Sequence, residues 1–166
     1  QVIMAAAEYV GPVYIRLGRP KVPVLFDETY KFEIGKGVVL KEGTDVTLVA
    51  TGIMVSKAAE AAEALAAEGI SAAVVNISTI KPLDNALITE MAQKTGAVVT
   101  CEEHNIYGGL GSAVAEVLVE NCPVPMARVG VEDSFGESGL PDQLLEKYGL
   151  TAANIADKAK AVIARK

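Results

Sequence analysis

Residues Val46 to Ile77 read VTLVATGIMVSKAAEAAEALAAEGISAAVVNI and contain the pattern of a strand, a helix and a second strand. The two continuous apolar runs, Val46 to Ala50 and Ala72 to Ile77, are typical of strands that are covered on both faces of a sheet. Between them, the alanine-rich segment from Ser56 to Glu68 predicts a helix whose small side chains let it pack close to the sheet. Gly69 suits the left-handed backbone position that ends such a helix. The stretch therefore predicts a parallel βαβ unit.

The same alternation continues on both sides of this unit. Further strands are predicted at Val38 to Leu40, Ala97 to Cys101 and Met126 to Val131. Further helices are predicted at Asn85 to Thr95, Ser112 to Asn121, Leu140 to Tyr148 and Thr151 to Arg165. Alternating buried strands and helices predict a three-layer α/β/α domain. In such domains, ligand sites form beyond the carboxyl ends of the strands.

The first 34 residues differ from this pattern. Val2 to Tyr9 resembles the end of a helix with no capping residue before it, which predicts that the chain is cut from a longer protein. Val13 to Leu17 is predicted as a strand, and the prolines at Pro20 and Pro23 indicate a linker. We therefore expect two parts, residues 1–34 and residues 35–166.

Composition limits the classes of function. Of the 166 residues, 51% are hydrophobic and 22% are charged, as in soluble globular proteins. The net charge of −6, the 5% aromatic content and the absence of Trp argue against a nucleic-acid-binding protein. No apolar run is long enough to span a membrane. The two cysteines, Cys101 and Cys122, lack a C-x-x-C spacing and predict reduced thiols in the cytoplasm.

The stretch Glu102 to Ser112, EEHNIYGGLGS, is the strongest candidate for a functional loop. Its glycines lead from a strand into a helix, where backbone N–H groups could hold a phosphate, but the spacing fits neither G-x-G-x-x-G nor the P-loop. A tight turn is the favoured interpretation of the glycines. His104, with Glu102 and Glu103 beside it, could bind a metal or act as an acid–base group, or it could anchor the loop or a subunit interface. Adjacent strand residues point to opposite faces, which opposes a shared metal ligand set.

Arg19 is the candidate substrate-binding residue. It follows the predicted strand Val13 to Leu17 after one glycine, so its guanidinium group is expected at the carboxyl end of that strand. Arginine at such a place suits bidentate recognition of a phosphate group, although these facts alone favour an ordinary surface or salt-bridging arginine. Arg16 is a weaker candidate because it lies within the strand.

Four segments together resemble the C-terminal part of transketolases, the thiamine-diphosphate enzymes that transfer two-carbon ketol units between sugar phosphates. They are Y-I-R-L-G-R-P at 14–20, T-I-K-P-L-D at 79–84, the loop at 102–112, and SFGESGLPDQLLEKYGLTAANI at 134–155. The resemblance covers essentially the whole chain. Deoxyxylulose-phosphate synthase and the decarboxylating component of 2-oxo acid dehydrogenases share the same domain, while F-G-E-S-G and the R-P pair favour transketolase.

The resemblance implies a mostly parallel five-stranded sheet with one antiparallel edge strand. Residues 1–34 would be the end of a pyrimidine-binding domain plus a linker, and residues 35–166 the transketolase C-terminal domain. Arg19 matches the family arginine that contacts the substrate phosphate, and Gly18 replaces the serine common before it. No catalytic, cofactor-binding or metal-binding residue can be assigned, because the G-D-G motif and the catalytic glutamate of the family are missing from this sequence.

The resemblance also implies partners and a cofactor for the complete enzyme. Thiamine diphosphate and Mg²⁺ would be held by the rest of the transketolase, either on the same polypeptide or on a separate N-terminal subunit, and this part alone would be inactive. A homodimer acting on sugar phosphates in the cytoplasm is expected. Two alternatives stay open. One is the C-terminal domain of deoxyxylulose-phosphate synthase or of another thiamine enzyme, and the other is a stand-alone dimerisation or interaction module.

Overall fold

A computed structural model describes residues 1–19 and 21–166. Its helices are α1 (Val2–Glu8), α2 (Met54–Ala67), α3 (Asn85–Thr95), α4 (Leu110–Asn121), α5 (Pro141–Lys147) and α6 (Ala152–Ile163). Its strands are β1 (Gly37–Lys41), β2 (Val46–Ala50), β3 (Ala72–Ile77), β4 (Val98–Asn105) and β5 (Met126–Val131). Among the described residues, no helix combines the length and the apolar character needed to cross a membrane.

The five strands form one sheet in the order β1-β3-β2-β4-β5. Strands β3, β2, β4 and β5 run parallel, while β1 pairs antiparallel with β3 at one edge. The predicted mostly parallel five-stranded sheet with one antiparallel edge strand is confirmed.

Helices cover both faces of the sheet, which confirms the three-layer prediction. On one face, α2 and α6 pack against Leu48 of β2 and Val99 of β4. On the other face, α3 and α4 pack against Val49 of β2 and Val98 of β4. Every residue of β2 is buried, because neighbouring residues of one strand enter opposite cores.

Caps place the ends of α3 where the sequence predicts them. The Asp84 carboxylate accepts a hydrogen bond from Leu87 N at 3.2 Å, and its second oxygen accepts one from Gly37 N at 3.1 Å. Gly96 ends the helix with φ 67°, in the left-handed region. The K-P-L-D turn is thus a helix cap that also holds the start of β1.

Three sequence-based assignments need correction. Residues 13–17 are not a strand, since they pair with no strand among the described residues, and Tyr14 and Leu17 are 88% and 76% exposed. Strand β4 runs four residues beyond Cys101, because Asn105 pairs with Val131 of β5 after an irregularity in the register. Helix α4 begins at Leu110, two residues earlier than predicted, because Glu102 satisfies its first N–H groups.

The predicted linker is consistent with the described residues on its C-terminal side. Residues 21–33 contain no helix or strand. Pro20, one of the two prolines that indicated the linker, lies outside the described residues. The division into residues 1–34 and 35–166 stays a prediction.

Candidate functional site

The candidate site lies where the carboxyl ends of β2 and β4 meet. These strands are neighbours, and Thr51 N donates to Cys101 O at 3.2 Å where they end. Helix α2 follows β2 on one face of the sheet, whereas α4 follows β4 on the other. The connections from β2 and β4 thus leave toward opposite faces, and such a switch point is the usual place for a ligand in an α/β sheet.

The Glu102 carboxylate fills the N-terminal end of α4. The residue is 1% exposed, and its two oxygens accept hydrogen bonds from Leu110 N and Gly111 N, each at 2.7 Å. A helix N-terminus carries unpaired N–H donors and partial positive charge, so a carboxylate is a matched partner. A Cβ atom on Gly109 would lie 2.0 Å from Glu102 Oε2, which explains one glycine of the turn. The glycine-rich turn thus binds the protein's own anion.

His104 and the two glutamates do not form a shared ligand set. His104 Nδ1 lies 2.7 Å from Asn105 O and 4.0 Å from Glu102 Oε2. A carbonyl oxygen only accepts, so this contact places a proton on Nδ1. Glu103 is 45% exposed and lies against Arg16 instead. Within residues 1–19 and 21–166, no three His, Cys, Asp or Glu side chains are grouped closely enough to hold a metal ion.

Hydrogen bonds hold the loop after β4 in place. Asn105 Oδ1 accepts from Tyr107 N at 2.9 Å, and Asn105 Nδ2 donates to Asp133 at 3.0 Å. Ile106 O accepts from Arg128 at 2.8 Å, and the same guanidinium lies 5.4 Å from the centre of the Tyr107 ring. The loop therefore has a fixed conformation that joins the ends of β4 and β5.

The F-G-E-S-G segment, residues 135–139, connects β5 to α5. Tyr148 donates its hydroxyl to Phe135 O at 3.0 Å, and Lys147 Nζ lies 2.6 Å from Glu137. The hydrogen bond with Glu137 raises the pKa of Lys147. The Phe135 ring itself is fully exposed.

Arg16 contacts the end of β4, which the sequence did not predict. Its Nη1 donates to Glu103 O at 2.9 Å, and its Nη2 lies 3.9 Å from Glu103 Oε2. The two residues are 87 positions apart, so no local pattern could reveal the contact. Arg19, the predicted substrate-binding residue, is exposed. Its role stays a prediction.

The cysteine next to the site is not a nucleophile. Cys101 is completely buried, and burial together with the neighbouring Glu102 charge raises the pKa of its thiol far above the usual range. The sulfur therefore stays protonated at neutral pH. Cys122, the second free cysteine, is partly exposed.

Comparison with known families agrees with the fold and the motifs. Residues 35–155 match the family described as "Transketolase, C-terminal domain". The chain belongs to this family. The predicted resemblance to this family is therefore confirmed.

Individual transketolase relatives cover nearly all of the chain. It is 55% identical over 156 residues to a 6-deoxy-6-sulfo-D-fructose transketolase subunit of Clostridium sp. (strain MSTE9), covering 94% of this chain and 48% of that protein. It is 46% identical over 161 residues to a 1-deoxy-D-xylulose-5-phosphate synthase of Heliobacterium modesticaldum, covering 95% of this chain and 25% of that protein.

A solved structure titled "Split gene transketolase, inactive beta4 tetramer" superposes with a TM-score of 0.95 at 56% identity, covering 98% of this chain and 54% of that chain. The transketolase domain described here thus spans about half the length of its subunit-type relatives. Another domain or subunit is implied.

The turn before α4 does not fit the diphosphate of thiamine diphosphate, the cofactor on which the family generally depends. A diphosphate would need free N–H donors, and the α4 N–H groups of Leu110 and Gly111 are already bound to Glu102. The negative charge of the Glu102 carboxylate would also repel a diphosphate. The turn before α4 is therefore not available to a diphosphate.

Proposed function

We propose that this chain is the C-terminal portion of a transketolase that transfers two-carbon ketol units between sugar phosphates and is inactive by itself. The observation that supports this most is the likeness to the split-gene transketolase, at 56% identity over 98% of the chain. The Glu102 carboxylate at α4 supports the proposed inactivity of this chain by itself, because it fills the glycine-rich turn that resembles a phosphate site.

We assign substrate binding to Arg19. Its guanidinium group is exposed and can donate two parallel hydrogen bonds to a phosphate. The segment that carries it is tied through Arg16 to the carboxyl end of β4, the edge at which ligands of α/β domains bind. Arg19 would anchor the phosphate end of the sugar, away from the reacting carbons.

The rest of the transketolase is the proposed partner, on the same polypeptide or on a separate N-terminal subunit. We infer that this partner holds thiamine diphosphate and Mg²⁺, which supply the chemistry that cleaves and re-forms the carbon–carbon bond. A homodimer of such units in the cytoplasm completes the proposal. The exposed apolar side chains of α1, Val2, Ile3 and Met4, are consistent with a covered position in the assembled enzyme.

Two relatives suggest different substrates for the same assembly. One is named for a sulfonated fructose, and a sulfonate resembles a phosphate in shape and negative charge. The other is named for deoxyxylulose-phosphate synthesis. Arg19 would bind the anionic end group in either case, so substrate identity has to come from an assay.

The test uses this chain assembled with its catalytic partner, with thiamine diphosphate and Mg²⁺ present. One reaction contains xylulose 5-phosphate and ribose 5-phosphate, a second contains 6-deoxy-6-sulfofructose and glyceraldehyde 3-phosphate, and a third contains pyruvate and glyceraldehyde 3-phosphate. Sedoheptulose 7-phosphate in the first reaction supports the proposal. Product only in the second reaction would assign the sulfonated fructose as substrate, and product only in the third would assign deoxyxylulose-phosphate synthesis. Absence of product in all three overturns the enzymatic function in favour of an interaction module.

The Arg19 assignment has its own variant. Arg19→Ala should raise KM for the phosphorylated donor about tenfold or more, since a hydrogen bond between charged groups contributes about 1.5–3 kcal/mol. Arg165→Ala is a matched control, because Arg165 is a surface arginine that donates to a backbone carbonyl, Met126 O, at 3.1 Å. Equal KM values for the Arg19 variant and the wild type would refute the assignment.

A further inference from the structure

The Glu102 carboxylate lies inside the domain, at the start of α4. Its two oxygens accept hydrogen bonds from Leu110 N and Gly111 N, each at 2.7 Å, and the residue is 1% exposed. All three residues belong to the segment 35–155 that matches the family domain. The contact is therefore internal to this domain, and it does not depend on which surfaces another part of the enzyme covers.

The same turn has a further donor that makes no bond. Thr100 is completely buried, and its hydroxyl has no hydrogen-bond partner in the part of the chain that the structure describes. Thr100 and Glu102 are two positions apart in β4, so both side chains lie on the face of the sheet that α4 covers. A Cβ atom on Gly111 would lie 3.0 Å from Thr100 Oγ1, which places the hydroxyl against the first turn of α4. A buried polar group without a partner is rare in folded proteins.

Helix N-termini bind free anions in many proteins, because their first N–H groups have no partner within the helix. At α4, two such groups hold one oxygen each of a planar carboxylate in an enclosed space. We propose that these two N–H groups and the Thr100 hydroxyl form a binding site for a small free monocarboxylate, with the Glu102 side chain as its tethered occupant. Removing that side chain opens the site. This inference is independent of the proposed ketol transfer.

The atoms removed from Glu102 set the size of the free ligand. A free anion has no covalent bond to the chain, so its carbon needs about 3.5–4.0 Å from the nearest remaining carbon, instead of the roughly 1.5 Å of a bond. The ligand must therefore be shorter than the group that was removed. Glu102→Ala removes the carboxylate and one methylene carbon, which suits formate. Glu102→Gly removes one carbon more, which suits acetate.

Urea unfolding of this chain measures the binding, since an anion that binds only the folded chain raises the folding equilibrium constant by the factor 1 + [L]/Kd. With a Kd of about 50 mM, 0.5 M sodium formate should raise this constant about tenfold in Glu102→Ala, relative to 0.5 M sodium chloride. Glu103→Ala is the matched control, because it removes a carboxylate one position away that is 45% exposed. The control should unfold alike in both salts. Equal responses of the two variants to formate would overturn the inference.

A second variant separates this site from a general effect of the salts. Acetate should stabilise Glu102→Gly at least as well as formate does, whereas it should stabilise Glu102→Ala much less than formate does. The same order of the two anions in both variants would overturn the inference. If a variant is unfolded in chloride, return of its folded circular dichroism spectrum in the matching anion supports the site. Failure of both variants to fold in either anion overturns it.

The third donor has its own variant. Adding Thr100→Val to Glu102→Ala removes the hydroxyl and should raise the Kd for formate about fivefold, the loss expected for one hydrogen bond. An unchanged Kd would refute the assignment of Thr100 to the site.

Amide signals in the NMR spectrum of Glu102→Ala give a measurement that is independent of stability. The signals of Leu110 and Gly111 should shift with added formate and saturate at the Kd found by unfolding, because these N–H groups are the proposed donors. Chloride at the same concentration should leave both signals in place. If formate shifts neither signal, the α4 N–H groups do not bind the anion and the inference fails.

Discussion

Replacing Glu102 by glutamine keeps the size of the side chain but removes the negative charge that binds the start of α4. The carboxylate accepts two hydrogen bonds of 2.7 Å, from Leu110 N and Gly111 N, and the residue is 1% exposed. Glutamine has one accepting oxygen, so one of these N–H groups would face an NH₂ group and be left without a partner.

The magnitude follows from these two bonds. A hydrogen bond to a charged group contributes about 1.5–3 kcal/mol, and a negative charge at a helix N-terminus adds up to about 2 kcal/mol when partly buried. Glu102→Gln loses one bond and the charge, so the free energy of unfolding should fall by about 3 kcal/mol. For a chain of this size, the urea midpoint should then fall by about 1 M.

Urea unfolding followed by far-UV circular dichroism measures the effect. Glu103→Gln is the matched control, because it makes the same chemical change one residue away on a side chain that is 45% exposed. The control should lose less than about 1 kcal/mol. If Glu102→Gln unfolds within about 0.5 kcal/mol of the wild type, the α4 N–H groups do not depend on this carboxylate and the reasoning fails.

Two further substitutions and one labelling reaction test the packing at and after β4. Gly109→Ala should lower Tm by about 8 °C, because its Cβ would lie 2.0 Å from Glu102 Oε2. The control Gly136→Ala has open space around the glycine and should not change Tm in the same calorimetric scan. Equal Tm values for the two variants would contradict the clash. Thr100→Val should raise the free energy of unfolding, measured in urea, by about 1 kcal/mol, since the buried hydroxyl has no hydrogen-bond partner among the described residues. A loss of stability would show that the hydroxyl does make a hydrogen bond. Cys101 should react with a disulfide-forming thiol reagent at pH 8 only after unfolding, because burial and the Glu102 charge raise its pKa and leave almost no thiolate. Labelling of both Cys101 and Cys122 in the folded protein would contradict this.

The sheet was predictable wherever the sequence carries an apolar run between turn signals. The predicted bounds of β2, β3 and β5 are those of the structure, because each strand is a mostly apolar run between turn signals. Helix α3 also has its predicted bounds, since Asp84 caps one end and Gly96 the other. These sequence signals are local, and they suffice to place the ends of a strand or helix where the burial pattern and the capping residues indicate the same bounds.

The candidate site was less predictable, because its main contacts join distant residues. Strand β4 continues through the polar residues Glu102 to Asn105, where the pairing of Asn105 with Val131 of β5, across an irregular register, overrides the weak strand preference of the sequence. A glutamate eight residues before the start of a glycine-rich helix was the one available hint that Glu102 is a buried cap. Val13 to Leu17 shows the opposite error, since an apolar run becomes a strand only where another strand pairs with it.

The closed end of α4 has a consequence for how this domain could have diverged. In many α/β proteins, the turn after a central strand is the place where natural variation can recruit a new nucleotide or phosphate ligand. Here the protein's own carboxylate competes for those N–H groups at an effective concentration that no cellular metabolite reaches. A protein that evolves a ligand site at this turn would first have to replace Glu102 and tolerate the lower stability. New ligand sites in this domain are therefore expected in the loops around the turn.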